Sequence, residues 1–350
     1  MTVDVPIVDA HVHLWDPRVT PRATTPALRL LGWSRWLLER LAPALFPRAA
    51  LNFVGSPRYA LAPFMPGDLR AEQDPLGARV AGFIHVEAAW KRRDPLRFSE
   101  ETRWLESICG RDLLGIVAQA DLAHPQLDAL LDAHAAASPR FVGVRDKVAF
   151  STDRGVMSWC DRPGRMADPA WRRGFRRLGE RGFTFDAWCY GDQLPELLAL
   201  VTAESGTRVV LDHLGSPVGI HDPARRAQVM APWRDVIAAL ASHPQVHAKL
   251  SGLTMPVLGG DFHERKAAVR VAELVDRIGP LVEHALACFG PERCLFASNS
   301  PMDLVSVPWA VTYAAYAALA AGRPFAEREA LFGGNALRLY GLDRIKALEG

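Results

Sequence analysis

His11 and His13 stand one residue apart at the end of an apolar, β-branched run within residues 6–17, Pro-Ile-Val-Asp-Ala-His-Val-His-Leu-Trp-Asp-Pro. Side chains alternate across a strand, so residues two apart share a face and these imidazoles converge on one point. That is chelate geometry, and histidine is the commonest transition-metal ligand. A divalent ion held there could polarise water. The plainer alternative is a pair of histidines satisfied by hydrogen bonds in the core. Against it stands Asp16-Pro17, which breaks the chain just past the pair and places it at the C-terminal mouth of a strand.

Other residues suited to chemistry lie near the ends of later apolar runs: His85 and Glu87, Arg145, Asp186 with Trp188, His213, Lys249 with Ser251, and Asn299. Strands buried on both faces read almost entirely apolar, so ionisable residues at their exits need a reason. Burying them without a function would cost roughly several kcal/mol per unpaired group. By type, Glu87 suits a metal ligand or a general base. His213 precedes Leu214-Gly215, a turn that would expose it. Arg145 and Lys249 are fixed cations, suited to a substrate carboxylate or a developing oxyanion. Arg145 could instead simply pair with Glu87 or Asp186. His85 and His247 sit deeper and read as structural. Asp212 has the opposite strand parity to His213 and reads as a partner for a helix N-terminus.

The elements that must position these residues alternate regularly. After the first strand, apolar runs at 80–89, 113–122, 141–148, 183–190, 208–215, 246–252 and 294–301 read as strands. Helical spacing follows them at 95–108, 126–137, 169–179, 194–204, 233–241, 266–289 and 309–321, and a last helix begins near Gly333-Gly334-Asn335. Eight strands alternating with helices predict an α/β protein with a parallel sheet, and eight is the number that closes into a (β/α)8 TIM barrel whose strand exits share one mouth. An open doubly wound sheet is the runner-up, but no Gly-x-Gly-x-x-Gly follows any strand. The 350 residues are read as a single domain interrupted by a long insertion after the first strand, at 18–79. Its apolar residues at 28–41, with Trp33 and Trp36, recur at helical spacing. So long an excursion suggests a lid over the site or a subunit contact, and hence a possible homo-oligomer. A membrane-surface helix is less apt, since its polar face is weakly basic.

With a formal net charge of +2 and arginines scattered in pairs, the chain has no global field to recruit nucleic acid or an anionic membrane, which leaves small molecules as partners. Five cysteines without a C-x-x-C spacing argue against a disulfide framework. With no signal-peptide pattern and no apolar run of membrane-spanning length, a cytoplasmic protein is the expectation.

Five ordered motifs, Val8-Asp-Ala-His-Val-His13, Phe141-Val-Gly-Val-Arg145, Leu211-Asp-His-Leu-Gly215, Lys249-Leu-Ser-Gly252 and Phe296-Ala-Ser-Asn-Ser-Pro301, together resemble the amidohydrolase superfamily. The likeness is closest to its branch of TIM-barrel lactonases, which includes pyrone-dicarboxylate and sugar-acid lactonases. The resemblance covers nearly the whole chain outside 18–79. It implies hydrolysis of a lactone or a related ester or amide-like bond, with His11 and His13 as the first-strand pair, His213 as the sixth-strand histidine and Arg145 as the anion-binding arginine. Asn299 departs from the pattern, because the eighth strand of the superfamily ends in a proton-accepting aspartate and an amide cannot be a base. Glu87 or Asp303 would then take the proton. Asp186 and Trp188 stand where binuclear members carry a histidine, so one ion at most is expected.

The resulting expectation is a zinc-dependent or metal-free hydrolase acting on a small, anionic organic acid derivative. His11, His13 and Glu87 would hold the ion or the carbonyl. His213 would orient or relay a proton, and Asn299 would hold the water. Arg145, Lys249, Asp186 and Trp188 would line the substrate. The alternatives are a metal-dependent decarboxylase of an aromatic acid and a degenerate barrel that only binds a ligand.

Overall fold

The structure is a computed structural model that describes residues 3–21, 36, 40, 41, 44–56 and 62–342. Eight strands form one parallel sheet in sequence order: β1 (Ile7–Val12), β2 (Val80–Val86), β3 (Leu113–Gln119), β4 (Phe141–Arg145), β5 (Thr184–Ala187), β6 (Val209–Leu211), β7 (Val246–Leu250) and β8 (Cys294–Phe296). A bridge from Val12 to Ser300 and the hydrogen bond from His13 N–H to the Ser300 carbonyl at 2.7 Å join the last strand region to the first. The fold is the predicted (β/α)8 barrel. Its strands are shorter than their apolar runs because the chain leaves the sheet early at the mouth. His213, Leu214, Ser216 and Asn299 all take positive φ, at 56°, 51°, 39° and 55°. That region is costly for residues with a Cβ, and its clustering at strand exits marks backbone turned inward on purpose.

The described helices are α1 (Arg48–Val54), α2 (Pro66–Gln73), α3 (Ser99–Cys109), α4 (Leu127–Ala137), α5 (Pro169–Glu180), α6 (Leu194–Ala203), α7 (Arg226–Ala241), α8 (Val271–Phe289), α9 (Trp309–Ala320), α10 (Phe325–Glu329) and α11 (Asn335–Leu339). Those from α3 to α9 follow successive strands, and their apolar stripes seal the outer core. Inside the barrel, Val8, Ala10, Ile84, Val86, Val210 and Leu295 pack as a separate cluster with Leu339 and Tyr340. The C-terminal helix thus plugs the end of the barrel opposite the mouth. No helix among the described residues is long and apolar enough to cross a membrane.

The helix expected over 28–41 lies almost wholly outside the described residues, as does Trp33, while Trp36 is 66% exposed. Of the remaining insertion, Phe64 pairs with Trp15 in an antiparallel bridge. The short helix α1 carries Phe53 onto the rings of Trp159 and Trp188, with centroids 5.4 and 5.7 Å away.

Candidate active site

His11 and His13 do converge, with their Nε2 atoms 3.1 Å apart. The pairing of β1 with β2 shifts register between Asp9 and Val12. Such an irregularity re-aims side chains, and it lets Asp9 point out of the barrel while His11 points in. The Asp9 carboxylate accepts from the Ser298 N–H at 2.9 Å and the Trp309 indole at 2.7 Å, tying the histidine motif to the end of β8 and the helix that follows it. His13 Nδ1 faces two carbonyl oxygens, Val86 at 2.8 Å and Glu87 at 3.1 Å. Carbonyls only accept, so Nδ1 carries the proton and Nε2 presents its lone pair to the site. Burial holds both imidazoles well below the ordinary histidine range, hence neutral.

Asp212, expected to cap a helix, is at the centre of the site. The argument from strand parity assumes extended backbone, and that ends at His213. Asp212 Oδ1 lies 3.4 Å from His11 Nδ1 and 3.3 Å from Lys249 Nζ, and Oδ2 lies 3.6 Å from the Arg145 guanidinium. None of these contacts completes a hydrogen bond, so both buried oxygens are unspent. Burial pushes the Asp212 carboxyl up, but Lys249 and His11 outweigh it and keep the group ionised. The left-handed turn swings His213 back beside His11, with ring centroids 4.6 Å apart, and Ser251 Oγ holds its Nδ1 at 2.9 Å. Burial lowers His213 to about 4. Gly252 makes room for this ring: a Cβ there would lie 2.5 Å from His213 Cγ and Nδ1.

The structure corrects two further expectations. Glu87 does not join the histidine pair. Its Oε1 accepts from Arg145 and its Oε2 from the Ala89 N–H at 2.8 Å, with Lys147 Nζ 3.1 Å away. Burial alone would raise this carboxyl, but Lys147 and Arg145 drive it down to about 2, which makes it a poor base and a committed counter-ion. Lys249 and Asp186 do not present themselves to a substrate either. Both are fully buried and bonded to each other, and the Tyr340 hydroxyl donates to Asp186 at 2.9 Å from the plug of the barrel.

Asn299 Nδ2 donates to Asp303 Oδ1 at 3.2 Å, whereas Asn299 Oδ1 is buried without a partner. Asp303 is pushed up to about 7 by burial, against hydrogen bonds from Asn299 and Thr254. Trp188 lies under the Arg145 guanidinium, 5.5 Å from its ring centre, and its indole N–H is likewise unspent. His85 accepts from the Leu14 N–H at 3.3 Å and lies 3.7 Å from Glu101.

Ligand atoms of His11, Asp212 and His213 lie within 4.8 Å of one another, and among the described residues this is the set that could hold a metal ion. Neutral imidazoles, an ionised carboxylate with two unspent oxygens and the lone pair of His13 alongside form a nitrogen and oxygen donor set that suits a borderline divalent ion. Sequence reasoning missed Asp212, Lys147 and Asp9. Asp212 is adjacent to His213 in a motif already singled out, and only the assumption of continued extended backbone hid it.

Residues 8–342 match the family described as amidohydrolase. An uncharacterised protein, y4mH, of Sinorhizobium fredii is 29% identical over 340 residues, covering 96% of this chain and 99% of its own. An L-fucono-1,5-lactonase of Burkholderia multivorans is 32% identical over 176 residues, 50% of this chain and 57% of the lactonase. Among solved structures, an amidohydrolase of Burkholderia multivorans covers 96% of this chain and 99% of its own. It superposes with a TM-score of 0.71 at 23% identity in a crystal form with bound HEPES and 0.69 at 24% in one with bound zinc.

Proposed function

The chain belongs to the amidohydrolase family and is a hydrolase, and from that premise we propose that it opens the lactone ring of a small organic acid, water being the nucleophile. The observation that carries this reading is the division of unspent polar groups at the mouth. On the β4 and β5 side the Trp188 indole N–H is an unspent donor, beside the Arg145 guanidinium, whose Nη1 makes only the long contacts of 3.5 Å to His11 and 3.6 Å to Asp212. Acceptors remain on the β6 and β8 side, at both Asp212 oxygens and Asn299 Oδ1. A carbonyl oxygen needs the first set and a nucleophilic water needs the second. The L-fucono-1,5-lactonase likeness supports a lactone as the substrate.

In this reading Arg145 and the Trp188 N–H meet the carbonyl oxygen and stabilise the charge it gains. Asn299 Oδ1 accepts a hydrogen bond from the water and orients it. Asp303, poised near neutrality, takes the proton as the new C–O bond forms. Asp303 then returns that proton to the ring oxygen as its bond to the carbonyl carbon breaks, leaving a hydroxy acid, while His213, neutral and held at Nδ1 by Ser251, keeps Nε2 for the ion site. His11, His213 and Asp212, with His13 beside them, would hold one divalent ion, zinc by donor type, which would supply Lewis acidity at the carbonyl. Glu87, Lys249 and Asp186 keep the charges of the site balanced.

The test is a screen of five- and six-membered lactones by acid release, with zinc-loaded and with chelator-treated protein. Turnover of a lactone that is lost in Asp303→Asn and Arg145→Met is the expected result. Release of carbon dioxide from a hydroxybenzoate with no lactone turned over would overturn it in favour of decarboxylation.

A further inference from the structure

We propose that Phe53, carried into the mouth by the insertion helix α1, determines which rings the site admits. Three distant parts of the chain meet here. Phe53 comes from the insertion, Trp159 from the loop after β4, and Trp188 from the exit of β5. Their rings are mutually edge-on or tilted, with centroids 5.2–5.7 Å apart. This spacing and tilt belong to packed aromatic pairs. The wall continues directly into the catalytic charges, since Trp188 lies under Arg145 and the Lys147 ammonium is 5.8 Å from the Trp159 ring centre.

The helix is held in place independently of the rings. Asn52 Nδ2 donates to the Gly155 carbonyl at 2.8 Å, and Gly55, at a φ of 66°, sits so close to Pro256 that a Cβ would approach it to 2.7 Å. Phe53 is therefore fixed by its neighbours in the chain, and its ring marks a firm boundary. The second observation is the Trp188 indole N–H, which is 4% exposed as a residue and has no acceptor. A buried indole usually finds a partner. An oxygen-bearing ring laid against the wall supplies one, with its apolar face on the aromatic surface and an oxygen on the N–H. Phe53 has no polar atom, so its contribution is volume and contact area alone.

The inference rests on the lactone reading for its kinetic arm only. δ-Valerolactone and the bulkier δ-decalactone are assayed with wild type, Phe53→Ala, Phe53→Leu and Phe53→Trp. Removing the ring raises KM for δ-valerolactone about tenfold with kcat within twofold, as expected for lost apolar contact in a pocket, and lowers KM for δ-decalactone. Phe53→Trp does the reverse for the bulky lactone, and Phe53→Leu restores most of the wild-type preference. An unchanged ratio of KM values, or kcat falling in parallel for both lactones, overturns the proposal. The second arm needs no turnover: δ-valerolactam, an amide and so less reactive than the lactone, is titrated against indole emission. A dissociation constant about tenfold weaker in Phe53→Ala supports the wall even if wild type hydrolyses neither lactone, and an equal constant overturns it. Should Phe53→Ala fail to fold, Phe53→Trp carries the comparison, and a KM for δ-decalactone no higher than that of wild type overturns the proposal.

Discussion

Arg145 and Glu87 form a buried two-point ion pair, Nε and Nη2 both reaching Oε1 at 2.9 and 2.8 Å, while Nη2 also donates to the Glu87 backbone carbonyl at 2.9 Å. Lys147 completes the arrangement on the other carboxylate oxygen. Glu87→Gln leaves two cations without their counter-charge, and removing one partner of a buried pair costs about 3–5 kcal/mol. Urea unfolding at neutral pH reads this directly. Glu87 is depressed in the folded state to about 2 from 4.5. Its contribution to stability is therefore complete above pH 4.5 and is lost as pH falls towards 2. The gap between wild type and variant closes over that interval, and a gap independent of pH there would contradict the pairing.

Asp303 titrates in the opposite sense. Burial raises it to about 7 from 3.8. In stability terms the protonated carboxyl suits the folded state, so its favourable contribution is full below 3.8 and is lost as pH rises through 7. As a proton acceptor it works only when ionised, so kcat/KM for a lactone rises with pH through a midpoint near 7. Asp303→Asn removes that limb and lowers turnover by roughly 10²–10⁴. A pH profile unaltered by the substitution would take Asp303 out of the reaction.

For the ion, the expected ligands are His11, Asp212 and His213. Competition with a chromophoric chelator measures zinc affinity without any assay of turnover. His11→Ala and Asp212→Asn each weaken binding at least about tenfold, since even supporting partners of a metal site are worth that much. Glu87→Gln leaves the affinity within about threefold of wild type, because that carboxylate belongs to Arg145 and Lys147. Equal losses from all three would restore Glu87 as a ligand.

Gly252→Ala tests how His213 is seated. The added Cβ would fall 2.5 Å from the imidazole, at a φ of 65° that disfavours any side chain. The expected cost is about 1–3 kcal/mol in stability, together with a fall in kcat as the ring is displaced. Near-UV circular dichroism and a thermal melt separate the two effects. Unaltered turnover would mean that the position of His213 is immaterial.

Alternating apolar and helical patterns made the barrel readable, since both periods are local properties of the chain. The converging His11 and His13, and the turn after His213, were legible for the same reason. What failed was non-local or depended on unusual backbone. The pairing of Arg145 with Glu87 stood as the alternative to an anion-binding role, but nothing near Glu87 shows that Lys147 will join it from just past β4. Strand alternation sets Asp212 opposite to His213, and that alternation lapses when His213 takes a left-handed φ. Asn299 sits in the same region at 55°, a conformation asparagine tolerates better than most residues, so its place at a turn was open to inference although its partner Asp303 rested on resemblance.

Asp9 receives its hydrogen bonds from Ser298 and Trp309, and His13 is fastened by the carbonyl of Ser300. The first strand therefore takes part of its support from residues some three hundred positions further along the chain, and Tyr340, which braces Asp186, lies further still. Contacts of such sequence separation fold slowly. A chain stopped before β8 would keep the pairing of β1 with β2 and the Val86 and Glu87 carbonyls at His13, but Asp9 would lack its Ser298 and Trp309 donors, so the mouth is complete only once β8 has closed on β1.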